Sequence, residues 1–513
     1  MKNKKDSIIK GALILTIAGL ISRVLGFLYR IYMSNLIGSE GMGVYQLIFP
    51  IFMICYTVCC SGLFTAISKL VAAERAKNNV RNMSRVVNGA TLISFCLSII
   101  LFVILYFNGK YISHQLLNEP RTLLSLKVLA ITIPFTAISS SVKGYFYGLK
   151  KTIIPASAQL IEQIIRILVV YCIASLFMPM GLEYACAMAV IGMAVGEILT
   201  CFYVIITYRI SLSHSKGNNR HYSSYRKIIR RITTIAIPLT ANRVLITLLQ
   251  SIETILIPSR LKIYGLSHTE AMSIYGVLSG MALPLIMFPS VFTNSLSMML
   301  LPTVSEAQAS KNKKSISYTT SKTLQYTLMI GIASTCLFIV FGNPLGTKIY
   351  NEAFVGTLLI TLAWLCPFIY LNTTLSSILN GLDYEMITFR NNSIGLGIRI
   401  IFTIFVIPLF GLKGYLWGLL ISFLAVALLD IIKIVKITKV QFNISKWLFK
   451  PILAALCVSL TIRYTYYNYI YPNTESLFVL LITCGIFGLS YFFLLIILRC
   501  IPKKDLRNVK HSI

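Results

Sequence analysis

The sequence has few charged residues, and acidic residues are especially scarce. Asp, Glu, Lys and Arg make up 12% of its 513 residues, and Asp and Glu together number 16. Soluble globular proteins carry about 25% charged residues. Hydrophobic residues instead make up 56% of the chain, and the mean hydropathy is +0.78. This composition excludes an ordinary soluble protein and predicts a chain that crosses a membrane many times.

Sequence motifs that would equip an enzyme are also missing. The chain contains no GxxxxGK[ST] phosphate-binding loop, no HExxH zinc motif and no GxSxG nucleophile motif. The five histidines fall in predicted loops or in the carboxyl-terminal tail: His114, His214, His221, His268 and His511. We therefore predict neither catalytic residues nor an ATP-driven motor, and the protein is not expected to be an enzyme.

The twelve cysteines show no spacing that would hold a metal. No CxxC pair and no His/Cys ligand pattern occurs, and most cysteines lie inside apolar segments. Buried cysteine commonly behaves as a small apolar side chain. We expect free thiols, no disulfide framework, no metal site and no bound cofactor.

Long apolar runs, in contrast, are abundant. A run of about 20 residues crosses the roughly 30 Å hydrocarbon layer as a helix. Fourteen candidate spans occur, approximately at 8–37, 42–68, 86–107, 122–148, 153–177, 184–208, 232–258, 271–302, 323–342, 353–380, 388–410, 414–437, 448–470 and 476–499. The predicted fold class is all-α, a polytopic membrane protein with about 14 transmembrane helices.

The net charge of +31 arises from lysines and arginines that gather in alternate loops. Positive charge favours the cytoplasmic side of a membrane protein, so both termini are predicted to be cytoplasmic. The main clusters are Arg75/Lys77/Arg81/Arg85, Lys216/Arg220/Arg226/Lys227/Arg230/Arg231, Lys311/Lys313/Lys314, Lys433/Lys436/Lys439 and Lys503/Lys504/Arg507. Such clusters also attract anionic membrane lipids. Nucleic acid is not an expected partner.

An internal repeat divides most of the chain into two copies. PFTAISSSVKGYFYGL begins at Pro134, and PFIYLNTTLSSILNGL begins at Pro367, 233 residues later. The same offset relates Arg166 to Arg399 and Val71 to Val304, and after a small deletion Gly181-Leu182 corresponds to Gly411-Leu412. Six spans separate the copies, so both should have the same orientation in the membrane. We predict two pseudo-symmetric six-helix lobes around a central cleft, over 1–225 and 226–440, with two additional helices and a basic tail in 441–513.

The charges inside predicted spans suggest what that cleft binds. A central charge costs about 2.5–3.5 kcal/mol on insertion scales, so these residues should face a wet cavity. Five are arginines: Arg23, Arg30, Arg166, Arg243 and Arg399. Three are acids: Glu162, Glu197 and Glu253. Guanidinium groups bind phosphate bidentately, so the arginine excess predicts an anionic, phosphate-bearing substrate. Glu162 and Arg166 are four residues apart, and a purely local ion pair is an equally good interpretation.

Several segments together resemble a known family. They are SRVLGFLYR at 22–30, GLFTAISKLVAAERA at 62–76, VKGYFYGLKKTIIPASAQLIEQIIR at 142–166, GLEYACA at 181–187, VGE at 195–197 and LPTVSEA at 301–307. In these segments the chain resembles the sporulation proteins of the polysaccharide-export and lipid II flippase branch of the multidrug/oligosaccharidyl-lipid/polysaccharide exporter superfamily. The resemblance implies a bacterial cell membrane protein, located in the forespore membrane during sporulation. It also implies alternating-access export of an undecaprenyl-pyrophosphate-linked precursor of the spore cortex.

The family's arginines carry over only in part. Arg23 matches the arginine of the SRVLGF motif, whereas the family's second arginine aligns nearer Tyr29 than Arg30. The family also has arginines in the second and eighth spans, where this chain has Tyr56-Thr57 and Pro284. We hypothesise that Arg166, Arg243 or Arg399 supplies the missing charge.

The expected function is outward translocation of a lipid-linked anionic oligosaccharide precursor, with cell wall synthesis enzymes as potential partners. The membrane potential is one energy source, and Na⁺ or H⁺ coupling through Glu162, Glu197 or Glu253 is equally compatible with the sequence. Three alternatives remain open at this point. They are a multidrug or cation exporter of the same fold, a polymerase or transferase of cell wall polymers, and a non-transporting scaffold.

Overall fold

The computed structural model describes residues 2–213, 224–440, 443–470 and 476–500. These ranges are helical apart from short connections, and no strand occurs within them, which confirms the all-α prediction. All twelve cysteines lie in these ranges and are free thiols, seven of them buried. The basic clusters at Lys216/Arg220 and at Lys503/Lys504/Arg507 lie outside the described residues.

The chain forms two compact units, Met1–Gly276 and Val277–Ile513. The described part of the first unit folds into α1 (Lys2–Tyr56), α2 (Gly62–Ala76), α3 (Val80–Phe107), α4 (Gly109–Tyr111), α5 (Leu123–Gly148), α6 (Ile153–Phe177), α7 (Leu182–Ser213), α8 (Tyr225–Ile263) and α9 (His268–Gly276). The described part of the second unit folds into α10 (Leu283–Met287), α11 (Ser290–Ala309), α12 (Lys313–Tyr350), α13 (Ala353–Leu362), α14 (Cys366–Gly381), α15 (Glu385–Ile401), α16 (Ile407–Phe410), α17 (Leu412–Thr438), α18 (Lys450–Thr465) and α19 (Leu477–Ile497).

Tighter or wider turns interrupt the regular helices. Turns of π-helix occur at Thr57–Ser61, Ile112–Leu116, Val277–Ala282, Phe402–Val406, Ser445–Phe449 and Tyr466–Ile470. Turns of 3₁₀-helix occur at Pro120–Thr122, Met178–Met180 and Ala363–Leu365. A π-helical turn leaves backbone carbonyls without their usual helical donor, and such turns are frequent at functional sites.

Thirteen helical stretches in the described ranges are long and apolar enough to cross a membrane. The first stretch, Ile17–Ala76, contains most of the first predicted span and all of the second. Those two spans meet at Gly38, whose backbone has φ 70° and ψ −176° inside α1. Glycine lacks a Cβ and tolerates this positive φ, so the chain can break direction there.

The eighth predicted span, 271–302, is divided in the structure. A helical stretch ends at Met287, and α11 begins at Ser290 after Pro289. Proline has no amide hydrogen and its ring clashes with the preceding turn, which ends one helix and starts the next.

The core of the first unit is packed from α2, α3, α5, α7 and α8. Tyr145 and Phe146 are fully buried at its centre, and the Tyr145 ring meets Tyr208 edge to face at 4.9 Å. Gly148 permits a close helix contact, because a Cβ there would lie 2.9 Å from the Val71 Cβ. The glycines of the GYFYG segment therefore bring α5 against α2.

The second unit has a core of the same kind, and the last two helices pack on its longest helix. Tyr491 on α19 donates a hydrogen bond to the Met329 carbonyl at 3.1 Å, and Phe341 on α12 meets Phe487 edge to face. Gln325 on α12 donates to the Cys500 carbonyl at 2.9 Å, just after α19. The additional helices α18 and α19 are thus attached to the second unit through α12.

The structure confirms the internal repeat through matched contacts. The Arg75 side chain donates to the Leu149 carbonyl, and 233 residues later Gln308 donates to the Leu382 carbonyl at 3.1 Å. The buried core positions Ile67, Val71, Val142, Phe146 and Leu149 correspond to Leu300, Val304, Leu375, Leu379 and Leu382. Both copies therefore fold around the same set of positions.

Helices α8 and α9 pack within the first unit. The Arg231 side chain on α8 pairs with Glu74 on α2 at 2.8 Å, and Ser273 on α9 donates to Ser39 on α1 at 2.7 Å. Along the sequence, the first compact unit therefore ends at Gly276. The predicted lobe boundaries at 225/226 and 440/441 stay predictions.

Candidate functional site

A cluster of charged side chains lies in the interior of the first unit. It contains Lys143 on α5, Glu162 and Arg166 on α6, and Glu197 on α7, and Arg30 on α1 borders these groups next to Tyr29 and Tyr45. Two glycines on α7 make this meeting possible. Gly192 lies against the Val170 side chain, and a Cβ at Gly196 would lie 2.9 Å from the Glu162 carbonyl oxygen. Helix α7 can therefore approach the α6 backbone closely, and Glu197 follows the second glycine directly.

Two ion pairs organise the cluster. The Arg166 Nη2 lies 2.6 Å from the Glu162 Oε1, and the Lys143 Nζ lies 3.9 Å from the Glu197 Oε1. Glu197 is 8% exposed and also lies close enough to Glu162 and Arg166 to interact with them electrostatically. The local ion pair between Glu162 and Arg166, one of the two predicted interpretations, is thus present. It belongs to a larger network.

Two tyrosines of α1 line the cationic part of the cluster. Tyr29 and Tyr45 are both buried, and each is electrostatically close to Arg30 and Arg166. The Tyr29 hydroxyl interacts with that of Tyr45, whereas the Arg166 Nε has no hydrogen-bond partner within the described residues. Buried polar atoms without partners are uncommon, so the Arg166 Nε is available to a polar ligand.

The charges of the cluster do not cancel. Lys143 and Arg166 pair with two carboxylates, Glu197 and Glu162, and Arg30 adds a third cationic side chain beside Tyr29 and Tyr45. With all five groups ionised the cluster carries one net positive charge. Positive charge in a low-dielectric interior is stabilised by a bound anion, and arginine is the best-suited side chain for phosphate oxygens.

The structure places the remaining predicted residues elsewhere. On α8, the Arg243 Nη1 donates to the Ser61 carbonyl at 2.8 Å, at the end of the π-helical turn after α1. Glu253 is buried two to three turns further along α8. Arg23 is exposed on α1 and makes no hydrogen bond or ion pair in the described ranges. Arg399 belongs to the second unit, where its guanidinium lies 5.5 Å from the Phe423 ring centroid.

Sequence reasoning missed three members of the cluster. Lys143, Tyr29 and Tyr45 were not predicted as site residues, although Lys143 lies inside the fourth predicted span. A lysine within an apolar span is as costly as an arginine, and that cost was the available signal. The tyrosines gave no signal, because aromatic residues are frequent throughout the spans.

A second charged network lies where α1 bends and α9 begins. The Arg121 Nη1 lies 2.7 Å from the Glu40 Oε1, and the Arg121 Nε lies 2.7 Å from the Glu119 Oε1. The His268 Nε2, in the first turn of α9, lies 2.9 Å from the Glu119 Oε2. Burial raises the pKa of the Glu119 carboxyl. The hydrogen bonds and charge of Arg121, together with the charge of His268, lower this pKa by more than burial raises it. The pKa of Glu119 therefore lies below its ordinary value.

Close backbone packing accompanies this network. Gly43 on α1 lies against the Met272 carbonyl, and Gly276 on α9 lies against the Ser39 carbonyl, so neither position has room for a Cβ. At the other end of α8, Glu74 accepts hydrogen bonds from Arg231 at 2.8 Å and from Asn82 at 3.2 Å. Two polar networks thus attach the α8–α9 hairpin to the rest of the first unit, one near each end of α8.

Comparison with known proteins gives consistent results. Residues 8–308 match the family described as polysaccharide biosynthesis protein. The chain is 27% identical to stage V sporulation protein B of Bacillus subtilis (strain 168), over 98% of both chains. Its fold is similar to that of the lipid II flippase MurJ in an inward closed conformation, with a TM-score of 0.66 and 19% identity over 94% of this chain and 98% of that one.

The fold is equally similar to the inward-facing conformation of a multidrug resistance MATE family transporter of the MOP superfamily. That comparison gives a TM-score of 0.66 and 16% identity over 84% of this chain and 100% of the transporter. The fold is therefore that of the MOP superfamily transporters, and the apolar helices are those of a multi-pass membrane protein. Because the family match covers more than half of its length, the chain belongs to the polysaccharide biosynthesis protein family.

Proposed function

We propose that the protein exports a lipid-linked oligosaccharide precursor whose headgroup carries a pyrophosphate. The observation that carries this proposal is the net positive charge of the first-unit cluster. Arg30, Lys143 and Arg166 would hold the phosphate oxygens, while Glu162 and Glu197 keep the empty site close to neutral. The names of the relatives support the same substrate class, since one similar structure is a lipid II flippase.

The polyprenyl tail would stay in the lipid while the headgroup crosses. In this account the headgroup enters from the cytoplasm, the two lobes rock, and the headgroup leaves on the other side. Both termini would lie in the cytoplasm, as the loop charges predict. By relation to stage V sporulation protein B, the forespore membrane and the spore cortex are the proposed setting. Arg23, Arg243 and Arg399 would contact the headgroup at other stages of this movement.

The membrane potential can contribute to the energy of export. Moving one negative charge outward from a negative cytoplasm is favourable by about 2.3 kcal/mol per 100 mV. A pyrophosphate headgroup carries its own negative charge, so it would be driven outward without a bound cofactor. Coupling to Na⁺ or H⁺ through Glu162, Glu197 or Glu253 would add to this energy.

One feature of the cluster would also suit the alternative function, export of organic cations. Glu162 and Glu197 are two acids in one interior cluster, and the similar MATE structure is a multidrug transporter. Organic cations, however, would have to bind beside Lys143 and Arg166. Since like charges in a low-dielectric site repel, we favour the anionic substrate.

The test is translocation of a fluorescent lipid II in proteoliposomes with an imposed potential, negative on the cytoplasmic side. Lys143→Met is compared with Lys127→Met, because both lysines lie on α5 and Lys127 is exposed. We expect Lys143→Met to lose most of the translocation, whereas Lys127→Met should match the wild type. Arg23→Ala, inserted to the same level, tests the predicted contact on α1. Absence of translocation by correctly oriented wild type would refute the lipid II assignment.

A further inference from the structure

Within the described part of the second unit, one carboxyl is buried in the interior. Asp430 is on α17, two turns before that helix ends at Thr438, and its exposed fraction is 0%. The helix is apolar enough to cross the membrane. An acid at such a position is costly, and intramembrane acids commonly mark ion or proton sites.

The hydrogen bonds of Asp430 satisfy one of its two oxygens. The Asn391 Nδ2 on α15 donates to the Asp430 Oδ1 at 2.7 Å. The orientation of this amide is fixed from its other side, since the Arg390 Nε and Nη2 donate to the Asn391 Oδ1 at 3.3 and 3.2 Å. The Asp430 Oδ2 is buried and has no hydrogen-bond partner in the described part of the chain.

The charged groups on the neighbouring helices leave this carboxyl without a counter-ion. The charged residues on α17 and on the described helices that pack against it are Lys313, Lys314, Lys322 and Lys348 on α12, Glu385, Arg390 and Arg399 on α15, and Lys413, Lys433 and Lys436 on α17 itself. The other titratable groups there are Tyr318, Tyr326, Tyr350 and Cys336 on α12, Cys366 and Tyr370 on α14, and Tyr415 on α17.

None of these groups forms an ion pair with Asp430 within the described residues. Lys433, three residues further along α17, instead lies 4.9 Å from the centroid of the Tyr384 ring. Arg390 reaches only the far side of Asn391. An ionised Asp430 would therefore be a buried charge held by one neutral donor, which is strongly unfavourable. The arrangement therefore favours the neutral acid more than water does.

We infer that Asp430 is a proton-binding site of the second unit, loaded in the present conformation and emptied when the unit rearranges during transport. The release step rests on the proposed transport function, whereas the binding site itself does not. Oδ2 receives the proton, and the amide of Asn391 holds Oδ1 in place. Loss of the proton would favour a conformation in which water or a nearby cation, such as Lys433, reaches the carboxylate.

The local chemistry favours a proton over a metal ion. Within the described residues no group of three or more His, Cys, Asp or Glu side chains could hold a metal. A hard cation needs several oxygen ligands, and near Asp430 the carboxyl offers a single open oxygen. Asp430 also differs from the acids of the first unit. Glu162 and Glu197 have Arg166 and Lys143 as ion-pair partners, whereas Asp430 has no such partner in the described part of the chain.

The test begins with infrared spectroscopy of the full-length protein in lipid nanodiscs at mildly acidic pH, where an exposed aspartate is still ionised. The wild-type spectrum minus that of Asp430→Asn should show the C=O band of a protonated carboxyl. The control is Glu385→Gln, which changes an exposed carboxyl on α15, and its difference spectrum should lack that band. Absence of the band from the Asp430→Asn difference would overturn the inference.

A second variant protects the test against misfolding of Asp430→Asn. Asn391→Ala keeps the acid and removes the donor to Oδ1, so the carboxyl band should remain and change frequency. A band at the wild-type frequency would show that the acid observed is not Asp430, which would also overturn the inference.

Release is measured in weakly buffered proteoliposomes that carry a pH-sensitive dye and transport the precursor. Translocation by the wild type should release protons, and this signal should be lost in Asp430→Asn and kept in Glu385→Gln. An unchanged signal in Asp430→Asn, or a requirement for Na⁺ in place of protons, would overturn the release step. If the wild type does not translocate, the proposed function fails and the infrared band still decides the proton site.

Discussion

The two copies of the internal repeat place an arginine at the same position and surround it differently. In the first unit, Arg166 pairs with Glu162 one turn earlier at 2.6 Å. In the second unit, Arg399 follows Gly395 at the same spacing, and its guanidinium lies against the Phe423 ring. Glu197 of the first unit corresponds to Ala427 of the second. The repeat has thus kept the cation in both units and the carboxylates in one.

The helix contact beneath these residues shows how such a difference can arise. In the first unit, Gly196 leaves room for the backbone at Glu162. In the second unit the small residue is on the other helix, because Gly395 lies against Val426 and accepts a hydrogen bond from Ser422 at 2.8 Å. The contact between the two helices needs one small residue, and that residue can lie on either helix. A side chain that faces the interior can therefore be introduced on either helix without changing the packing.

The largest loss of stability should come from removing Arg166, the repeat arginine of the first unit. Arg166→Ala leaves Glu162 and Glu197 close together with one cation fewer, and breaking a buried pair costs about 3–5 kcal/mol. Because both groups are partly exposed, we expect the lower end of this range. Thermal unfolding of the purified protein in detergent measures the loss.

A double variant separates stability from function. Glu162→Met combined with Arg166→Met removes both charges, so most of the stability should return while translocation stays impaired. Recovery of translocation in the double variant would show that Arg166 serves only the ion pair.

A smaller effect should follow from changing the helix contact itself. A Cβ at Gly196 would lie 2.9 Å from the Glu162 carbonyl oxygen. Gly196→Ala should cost about 1–3 kcal/mol, because overpacking forces the helices apart. Gly485→Ala on α19 is the matched control, since nothing lies within 4 Å of its Cβ. Equal melting temperatures for the two variants would contradict the proposed close contact.

Removing the arginine of the second unit should affect stability less. Arg399→Ala loses the contact with the Phe423 ring, which is worth about 0.5–2 kcal/mol. Translocation should nevertheless be abolished if Arg399 contacts the headgroup. Comparison with Arg166→Ala in the same unfolding and translocation assays tests both statements. Normal translocation by a well-folded Arg399→Ala protein would remove Arg399 from the substrate site.

The smallest effect on stability is expected at Glu119, in the network around Arg121. The folded-state pKa of Glu119 is lowered, so its stabilising contribution is complete above its unfolded pKa and is lost as the pH falls through the folded value. Glu119→Gln should therefore weaken the decline of the unfolding temperature in acid. Unfolding curves of both proteins across the acidic range measure this difference. Parallel curves would contradict the account of Glu119.

Much of the fold could be predicted from the sequence, because apolar length and loop charge set the spans and the offset of 233 set the repeat. Matching residues of the two copies, such as Pro134 and Pro367 or Leu149 and Leu382, can be recognised in the sequence itself. The break at Gly38 falls between the first two predicted spans, 8–37 and 42–68. The division at Pro289 within the eighth span was missed, since a proline inside an apolar run can equally well kink a continuous helix.

The site could be predicted less well. Charge within spans predicted Glu162, Arg166 and Glu197, which the structure places together, and Arg30, which borders them; their role in binding stays a prediction. It could not show that Gly192 and Gly196 draw α7 onto α6, or that Lys143 joins them from α5. Asp430 was missed because it lies near a basic span end, where an acid usually meets solvent. Which helix faces meet depends on tertiary packing, and a single sequence does not contain that information.

The central claim is that the first-unit cluster binds an anion, and the most direct measurement is equilibrium binding to the purified protein. A pyrophosphate-bearing polyprenyl lipid and a small organic cation are titrated against wild type, Arg30→Ala and Glu197→Gln. Losing a charge-assisted hydrogen bond costs about 1.5–3 kcal/mol, so Arg30→Ala should weaken binding of the lipid about ten- to hundredfold. Glu197→Gln should leave that binding equal or tighter. The opposite pattern, with the cation bound and lost in Glu197→Gln, would contradict the account.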